Sequence, residues 1–282
     1  MQNLREIRAR IKTVGNIRNI TSAIQKISAA RLVKARHFLY GLRKYTAEFK
    51  SIYDNLLDAD TENVLFRKNK TGSVLFIVMA GDRGFCGSYN QKVFDASASF
   101  LANYEKKDIK LIVCGKKGLS HFSRRNYDII MSKTNIPPLC PYNIPGEIAD
   151  SMIGLYAQNK ISQVYAVSTE FVTMVNNTPA ITKLLPAEPG QANNAASENY
   201  VFEPKKQELA NNALLYYIKL RLWQSLVESS VSENTSRVVM MERATISAEE
   251  MISTLRLTGN KIRQSGITRE LSDIVGTAEA LA

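Results

Sequence analysis

Proline, histidine and cysteine are scarce in this chain, and the proline is confined to one region. All eight prolines of the 282 residues lie between Pro137 and Pro204. Because proline breaks helix interiors, the long stretches on either side of that region can form uninterrupted helices. The chain has only two histidines, His37 and His121, which are too few for a histidine-based metal site. Both are interpreted as bystanders.

The three cysteines, Cys86, Cys114 and Cys140, have neither disulfide-framework spacing nor zinc-site spacing. A reducing, cytoplasmic-type compartment is therefore indicated. No apolar run approaches the ~18–20 residues that span a bilayer. Met1–Arg10 is charged, unlike a secretory signal. Its helical pattern continues into the following residues, so it is interpreted as part of the mature protein.

Charge is placed very unevenly along the chain, whose net charge is +11. Residues 1–50 hold twelve Lys or Arg and two Glu, a net charge of +10, which leaves +1 for the other 232 residues. A basic arm on a neutral body implies an acidic partner. That partner can be a nucleic acid, an anionic lipid or an acidic protein surface.

Lys205–Thr258 contains neither proline nor glycine and predicts one helix about 80 Å long at ~1.5 Å per residue. A helix of that length needs a partner along most of it. Stepping alternately by four and three residues gives a seam that is mostly apolar: Leu220, Gln224, Val227, Val231, Asn234, Val238, Met241, Thr245, Ala248, Ile252, Leu255, Gly259, Ile262 and Gly266. This spacing predicts a coiled coil, with Gln224 and Asn234 as register-setting positions. The alternative is one long helix against a broad core.

Leu4–Leu57 predicts a second long helix, with the C-terminal helix as its antiparallel mate. Its apolar positions form three groups at 3-4 spacing: Leu4, Ile7, Ile11 and Val14, then Ile17, Ile20, Ile24 and Ile27, then Leu32, Ala35, Leu39 and Leu42. Each group is out of phase with the one before. The shifts predict a helix that winds around its mate or meets different neighbours along its length.

Between the two helices, short apolar runs alternate with helical stretches. The runs are Ser73–Met79, Leu111–Cys114, Asp128–Met131, Gln163–Ser168, extended or followed by Phe171–Val175, and Ala180–Leu185. This alternation predicts a mostly parallel α/β sheet. The α/β region is thus an insertion between the halves of a helical hairpin. The predicted domains are residues 1–60 and 205–282 for the two helices and 71–203 for the insertion.

The segment Ala80–Asn90 is a glycine-rich turn between a strand and a helix, the arrangement that cradles phosphate in some folds. Its glycines at 81, 84 and 87 fit neither the dinucleotide fingerprint nor the P-loop. Asp82 and Arg83 are expected to close the turn by a local ion pair. No catalytic couple of carboxylates stands out, and we expect no cofactor and no metal.

Three stretches together resemble the gamma subunit of the F-type ATP synthase. They are the N-terminal Leu4–Ile24, the central Asp82-Arg-Gly-Phe-Cys-Gly87 with Asn90, and the C-terminal Ser232–Thr245 with Asn260–Gly276. The resemblance covers the whole chain in order and is weakest over Asn126–Asn199. It implies a fold in which a long antiparallel coiled coil of the terminal helices carries an inserted Rossmann-like α/β domain.

The resemblance further implies a rotor shaft that is not itself catalytic. Rotation of a membrane ring of c subunits turns the shaft inside a ring of three alpha and three beta subunits, so that proton flow drives ATP synthesis and the reverse occurs in hydrolysis. The implied partners are those subunits and the epsilon subunit. One copy per complex is implied, with no homo-oligomer, nucleic acid or small-molecule substrate. The implied location is peripheral, on the cytoplasmic face of a bacterial inner membrane or on the matrix side of an organellar one.

Five residues are carried over as partner contacts by the resemblance. Arg263 and Gln264 match a pair that hydrogen-bonds a beta-subunit loop, although a solvated helix face is the alternative. Ile24 stands where the family usually has methionine, close to an acidic beta segment. Phe202 and Glu203 match a stretch associated with the c-ring contact, although they can equally form a strand-to-helix junction.

Two other functions remain open from the residues themselves. The strand, glycine turn and helix at Met79–Asn90 also suit an α/β enzyme with a helical oligomerisation arm. The basic arm Arg5–Lys50 also suits a nucleic-acid binder, but it lacks the aromatic stacking residues that such proteins use.

Overall fold

The computed structural model of the chain describes residues 4–56, 63–173, 177–187, 203 and 205–281. Two long helices, α1 (Leu4–Leu56) and α5 (Lys206–Leu281), bracket the α/β region in sequence. The chain forms two compact units. The first takes residues up to Ser28 and from Arg237 onward, and the second takes Ala29–Ser236. The predicted domains divide the chain differently and stay predictions.

In the first unit, α1 and α5 run antiparallel. The Thr21 and Thr245 hydroxyls hydrogen-bond at 2.8 Å. Ile7 lies fourteen residues before Thr21 on α1, and Gly259 lies fourteen residues after Thr245 on α5. These two residues also face each other, because a Cβ placed on Gly259 would lie 3.5 Å from the Ile7 side chain. Equal steps in opposite directions define a two-helix antiparallel coiled coil, which confirms the predicted fold class.

The predicted seam of α5 matches the burial of its side chains, but its width differs between the units. In the first unit the stripe is narrow, with Met241, Ala248 and Ile252 as its buried apolar positions. In the second unit further positions are buried beside the seam, among them Leu222 and Leu226. In the first unit α5 thus forms a coiled coil, whereas in the second unit it packs against a broad core.

The predicted winding of α1 around its mate is wrong, because its buried positions keep one register, whereas the alternative of different neighbours along its length stays a prediction. The 3-4 spacing of Leu4, Ile7, Ile11 and Val14 continues through Arg18, Thr21, Gln25 and Ser28 to Leu32, Ala35, Leu39 and Leu42, and every one of these is buried or half-buried. Ile17, Ile20 and Ile27 are instead about half exposed. The prediction followed apolar side chains, whereas polar ones such as Thr21 fill this part of the seam by pairing with α5.

The second unit contains a five-stranded sheet of order β3-β2-β1-β4-β5. Its strands are β1 (Ser73–Met79), β2 (Ile109–Cys114), β3 (Asp128–Lys133), β4 (Ile161–Phe171) and β5 (Asn177–Leu185). The first four are parallel, and β5 pairs antiparallel with β4. From Val74 to Met79 the central strand β1 is buried, as its continuous apolar run predicts.

Three shorter helices connect the strands: α2 (Tyr89–Leu101), α3 (Lys116–Ser123) and α4 (Asn143–Ala157). Helix α4 includes Pro145, at a position in the first turn that needs no amide hydrogen. An aromatic cluster fastens α5 to α1 and to the start of α4. In it the Trp223 ring lies 5.4 Å from that of Phe38 and 5.3 Å from that of Tyr142.

Candidate functional site

The glycine-rich turn after β1 is closed by the Asp82 carboxylate, which binds backbone amides rather than Arg83. One Asp82 oxygen accepts hydrogen bonds from the amides of Lys116 at 3.0 Å and Asn135 at 2.9 Å. The other accepts from the amide of Ile136 at 2.9 Å. The expected ion pair within the turn is therefore wrong. The carboxylate joins the loops after three strands, because the carboxyl ends of parallel strands meet at one edge.

A second set of hydrogen bonds fixes the shape of this turn. The Gly81 amide donates to Asn90 Oδ1 at 2.9 Å, and Asn90 Nδ2 donates to the Cys86 sulfur at 3.2 Å. Between them Phe85 adopts a φ of +62° with 68% of its surface exposed. At Gly115, with φ +94°, a Cβ would lie 2.1 Å from the Ala80 carbonyl oxygen, so only glycine fits there.

Helix α5 covers the carboxyl ends of β1 and β4. The order of the strands reverses between these two, which is where open α/β sheets bind nucleotides. The Ser229 hydroxyl accepts a hydrogen bond from the Thr169 amide at 3.2 Å, and the Ser229 carbonyl accepts one from the Tyr89 hydroxyl at 3.1 Å. The Ser232 hydroxyl donates to the Thr169 carbonyl at 3.2 Å.

The same helix also closes over the glycine turn. A Cβ on Gly81 would lie 2.9 Å from the Glu233 carboxyl carbon. Burial raises the pKa of the Tyr89 hydroxyl, with the nearby Glu233 charge as a second cause, so the phenol stays neutral. The crevice that would hold a ligand in an α/β enzyme is thus filled by side chains of the chain's own helix.

The cysteines of the α/β region lie in its core, and His121 packs against an aromatic ring. Cys86, Cys114 and Cys140 are all buried. Burial raises the pKa of Cys114 to about 12 and that of Cys140 to about 12, so both remain thiols at neutral pH. His121 stacks on Phe94 with ring centroids 3.9 Å apart, and desolvation lowers its pKa. Within the described ranges, no group of three or more His, Cys, Asp or Glu suits a metal ion.

The predicted partner contacts do not gather into one cluster. Ile24 is half-buried on α1, three residues beyond the Thr21–Thr245 contact. Arg263 and Gln264 are exposed on α5, and Arg263 lies about 27 Å beyond Thr245 at the helix rise per residue. Glu203 is exposed in the second unit, and Phe202 lies outside the described residues.

Both helices of the first unit carry apolar stripes that the fold leaves exposed, and the sequence reasoning missed them. On α1 the stripe is Ile17, Ile20 and Ile27, each about half exposed. On α5, Ile267, Leu271, Ile274 and Val275 are exposed at 51–63%. If the 3-4 spacing of Leu4, Ile7, Ile11 and Val14 is continued to Leu32, the α1 stripe falls outside the seam. The sequence could therefore have identified this stripe as exposed.

A basic groove lies in the first unit, next to the start of the α1 stripe. It has a volume of about 480 Å³ and opens next to Gly15, where no other atom would meet a Cβ. Lys12, Arg18 and Arg256 line it, with Glu249 as the acidic exception. Such a groove suits an acidic side chain from a partner. Among the helices described here, none is both long and apolar enough to traverse a lipid bilayer.

The fold and these surfaces define a class of protein: an antiparallel two-helix coiled coil with exposed apolar stripes, and an α/β domain inserted in sequence between its two helices. The family model described as ATP synthase matches residues 3–281. The ATP synthase gamma chain of Pelotomaculum thermopropionicum is 33% identical over 284 residues, covering 100% of both chains. That of Clostridium botulinum is 34% identical over 278 residues, covering 98% of this chain and 97% of that one. The chain belongs to the ATP synthase gamma chain family.

Solved structures share the fold at lower identity. A chain in the OSCP/F1/c-ring structure of Euglena gracilis mitochondrial ATP synthase gives a TM-score of 0.71 at 18% identity, covering 99% of this chain and 94% of that one. A chain in the central stalk/c-ring structure of the Tetrahymena thermophila enzyme gives 0.62 at 23% identity, covering 80% of this chain and 99% of that one. These likenesses bear on the fold, not on individual contacts.

Proposed function

We propose that this chain is the central rotor shaft of an ATP synthase and is not itself catalytic. It transmits rotation of the membrane c ring to the catalytic beta subunits, so that proton flow drives ATP synthesis and hydrolysis runs the shaft in reverse. Membership of the gamma chain family supports this proposal, as do structural neighbours from a central stalk and a rotor. The α5 side chains that fill the nucleotide crevice weigh against an enzyme.

The exposed end of α5 is the observation that carries the proposal. Every described side chain from Arg263 to Ala278 is exposed, and the apolar stripe of this helix lies within that range. An apolar stripe that the described part of the chain leaves exposed favours burial against another protein. A ring of alpha and beta subunits around the coiled coil provides that surface, with one copy of this chain per complex.

The charge of α1 indicates what the surrounding subunits present to it. Arg8 and Lys12 are exposed, and the basic groove beside Gly15 adds Arg18 and Arg256. We assign acidic beta-subunit segments to this face, near Ile24. A protein partner fits better than a nucleic acid, because the exposed isoleucines offer apolar contact and no aromatic stacking.

The remaining assignments follow from the same proposal. Arg263 and Gln264 are the proposed hydrogen-bond donors to a beta-subunit loop, and both are exposed as that role requires. Phe202 and Glu203 are the proposed c-ring contact, and the epsilon subunit binds near the α/β domain. The chain is peripheral to the membrane, on the cytoplasmic face of a bacterial inner membrane or on the matrix side in an organelle.

Affinity purification of the tagged full chain, followed by native mass measurement, tests this proposal. We expect one copy of this chain in an assembly with six larger chains. As a control, Leu271→Glu with Ile274→Glu should abolish the assembly while the chain still folds, because both side chains are exposed. Recovery of the chain alone, or as a homo-oligomer, would contradict the proposal.

A further inference from the structure

Arg43 joins three elements of the second unit through one guanidinium group. Its Nε donates a hydrogen bond to Glu228 Oε1 on α5 at 2.9 Å. Its Nη2 donates to the carbonyl oxygen of Phe171 at 2.8 Å, where β4 ends. Arg43 itself belongs to α1. One planar guanidinium group on α1 therefore contacts both α5 and the end of strand β4.

Glu228 is a buried carboxylate whose partners are supplied by this arrangement. Its side chain is only 6% accessible, whereas that of Arg43 is 34% accessible. Gln224 Nε2 donates to the same Glu228 oxygen at 2.9 Å. A buried charge is costly unless it is paired and hydrogen-bonded, so removing Arg43 leaves Glu228 without its counter-ion.

The position of the pair indicates its purpose. Arg43 directly follows the buried seam residue Leu42, and Glu228 directly follows the buried seam residue Val227. In coiled coils, ion pairs beside the apolar contact line select the partner helix and its register, and this pair stands in the same place between two packed antiparallel helices. A buried ion pair adds little net stability over an apolar pair of the same size, and fixing a register is its best-attested use.

We propose that Arg43 is a positioning residue that sets the axial register of α1 against α5 and the end of β4. Torque applied to the sheet is then transmitted to both helices, and neither helix slides along the other. This inference rests on the proposed rotor function. It concerns only contacts inside the chain, so it can fail while the rotor function stands.

The test compares three variants of the full chain, assembled into the complete complex in membrane vesicles. Arg43→Met removes the guanidinium group and leaves the buried Glu228 carboxylate without its counter-ion. Arg43→Met with Glu228→Gln removes the guanidinium group but also the buried charge, so thermal stability should return to the wild-type value. Lys44→Met is the matched control, because Lys44 is the neighbouring cation, and its 80% accessible side chain lies 3.9 Å from the Glu48 carboxylate.

Coupled ATP synthesis at a fixed proton gradient separates a positioning role from a purely stabilising one. We expect synthesis by the double variant to fall at least about fivefold, as loss of a coupled contact predicts, while Lys44→Met stays at the wild-type rate. ATP hydrolysis by the double variant should remain near wild type. If the double variant recovers both stability and synthesis, Arg43 serves stability alone and the proposal is overturned.

A distance measurement decides the register without relying on the rotor function. Spin labels at Ser51→Cys and Gln207→Cys, both exposed, report the offset between α1 and α5 in the full chain, and the three native cysteines are buried. The double variant should broaden the distance distribution by about 5 Å, one helical turn, and Lys44→Met should not. If wild-type vesicles made no ATP, the proposed function would fail, and an unchanged distance distribution would independently refute the register role.

Discussion

The seam of α1 keeps one register against α5, but its chemistry changes along the helix. In the second unit the seam is apolar, with Leu32, Ala35, Leu39 and Leu42 buried. In the first unit the seam over Arg18, Thr21, Gln25 and Ser28 is polar, and isoleucines at 17, 20 and 27 face outward. The half in the second unit buries its apolar side chains, whereas the half in the first unit leaves three isoleucines exposed.

This difference shows that a coiled coil can keep one register without keeping one kind of contact. Stability inside the second unit comes from buried apolar area, to which the Phe38 and Trp223 rings add. The first unit is held by fewer buried apolar groups and by polar pairs such as Thr21 with Thr245. Its outward isoleucines are consistent with a shaft that is completed by the subunits around it.

The largest expected effect contrasts one leucine with one isoleucine on α1. Leu39→Ala should lower the free energy of unfolding by about 3 kcal/mol, because Leu39 is fully buried and the change leaves a cavity. Ile20→Ala, at 58% exposure, should cost about 0.5 kcal/mol or less. Denaturant unfolding of the isolated full chain measures both. Equal costs would show that the two halves do not differ as described.

The next prediction concerns the outward face in the assembled complex. Ile24→Glu should lower coupled ATP synthesis about tenfold, equivalent to ~1.4 kcal/mol, since it places a carboxylate beside an acidic partner. Arg263→Ala should lower synthesis by a smaller factor through loss of a charge-assisted hydrogen bond. Arg263→Ala should leave the unfolding midpoint of the isolated chain unchanged, and Ile24→Glu, at a half-buried position, should lower stability less than it lowers coupling. Wild-type coupling in both variants would remove these residues from the interface.

The smallest expected effect lies in the polar seam. Thr21→Val should cost about 0.5–1 kcal/mol, because the Thr245 hydroxyl loses one partner while still donating to the Met241 carbonyl at 2.8 Å. Adding Thr245→Val should recover that loss, since two apolar groups of matching shape then meet. Thermal unfolding of the two single variants and the double variant gives their coupling energy. Additive losses would indicate that the hydroxyls do not interact.

Most of the fold could be predicted from the sequence, because its helices and strands follow from local residue patterns. The freedom of Lys205–Thr258 from proline and glycine predicted α5, and the apolar run Ser73–Met79 predicted the central strand. The register of α1 could not be predicted from apolarity alone. Thr21 occupies the seam by pairing with Thr245, 224 positions away, a contact that no local pattern reports.

The site was predicted less completely, and for a physical reason. The glycine turn was identified, but the backbone amides that donate to Asp82 come from two later loops, so the adjacent Arg83 was a poor guide. The closure of the crevice depends on Ser229 and Glu233, far along the chain. Ile24 and Arg263 were drawn from a family resemblance, and the contacts proposed for them would be made with other chains.

Rotation of the chain inside its complex is the most direct test of the central claim. The alpha and beta subunits would be fixed to a surface, and a bead attached through Lys107→Cys, an exposed position in a chain whose native cysteines are buried. On addition of ATP, the account predicts stepwise rotation of the bead in one direction. ATP hydrolysis by the same complexes with a stationary bead would contradict it.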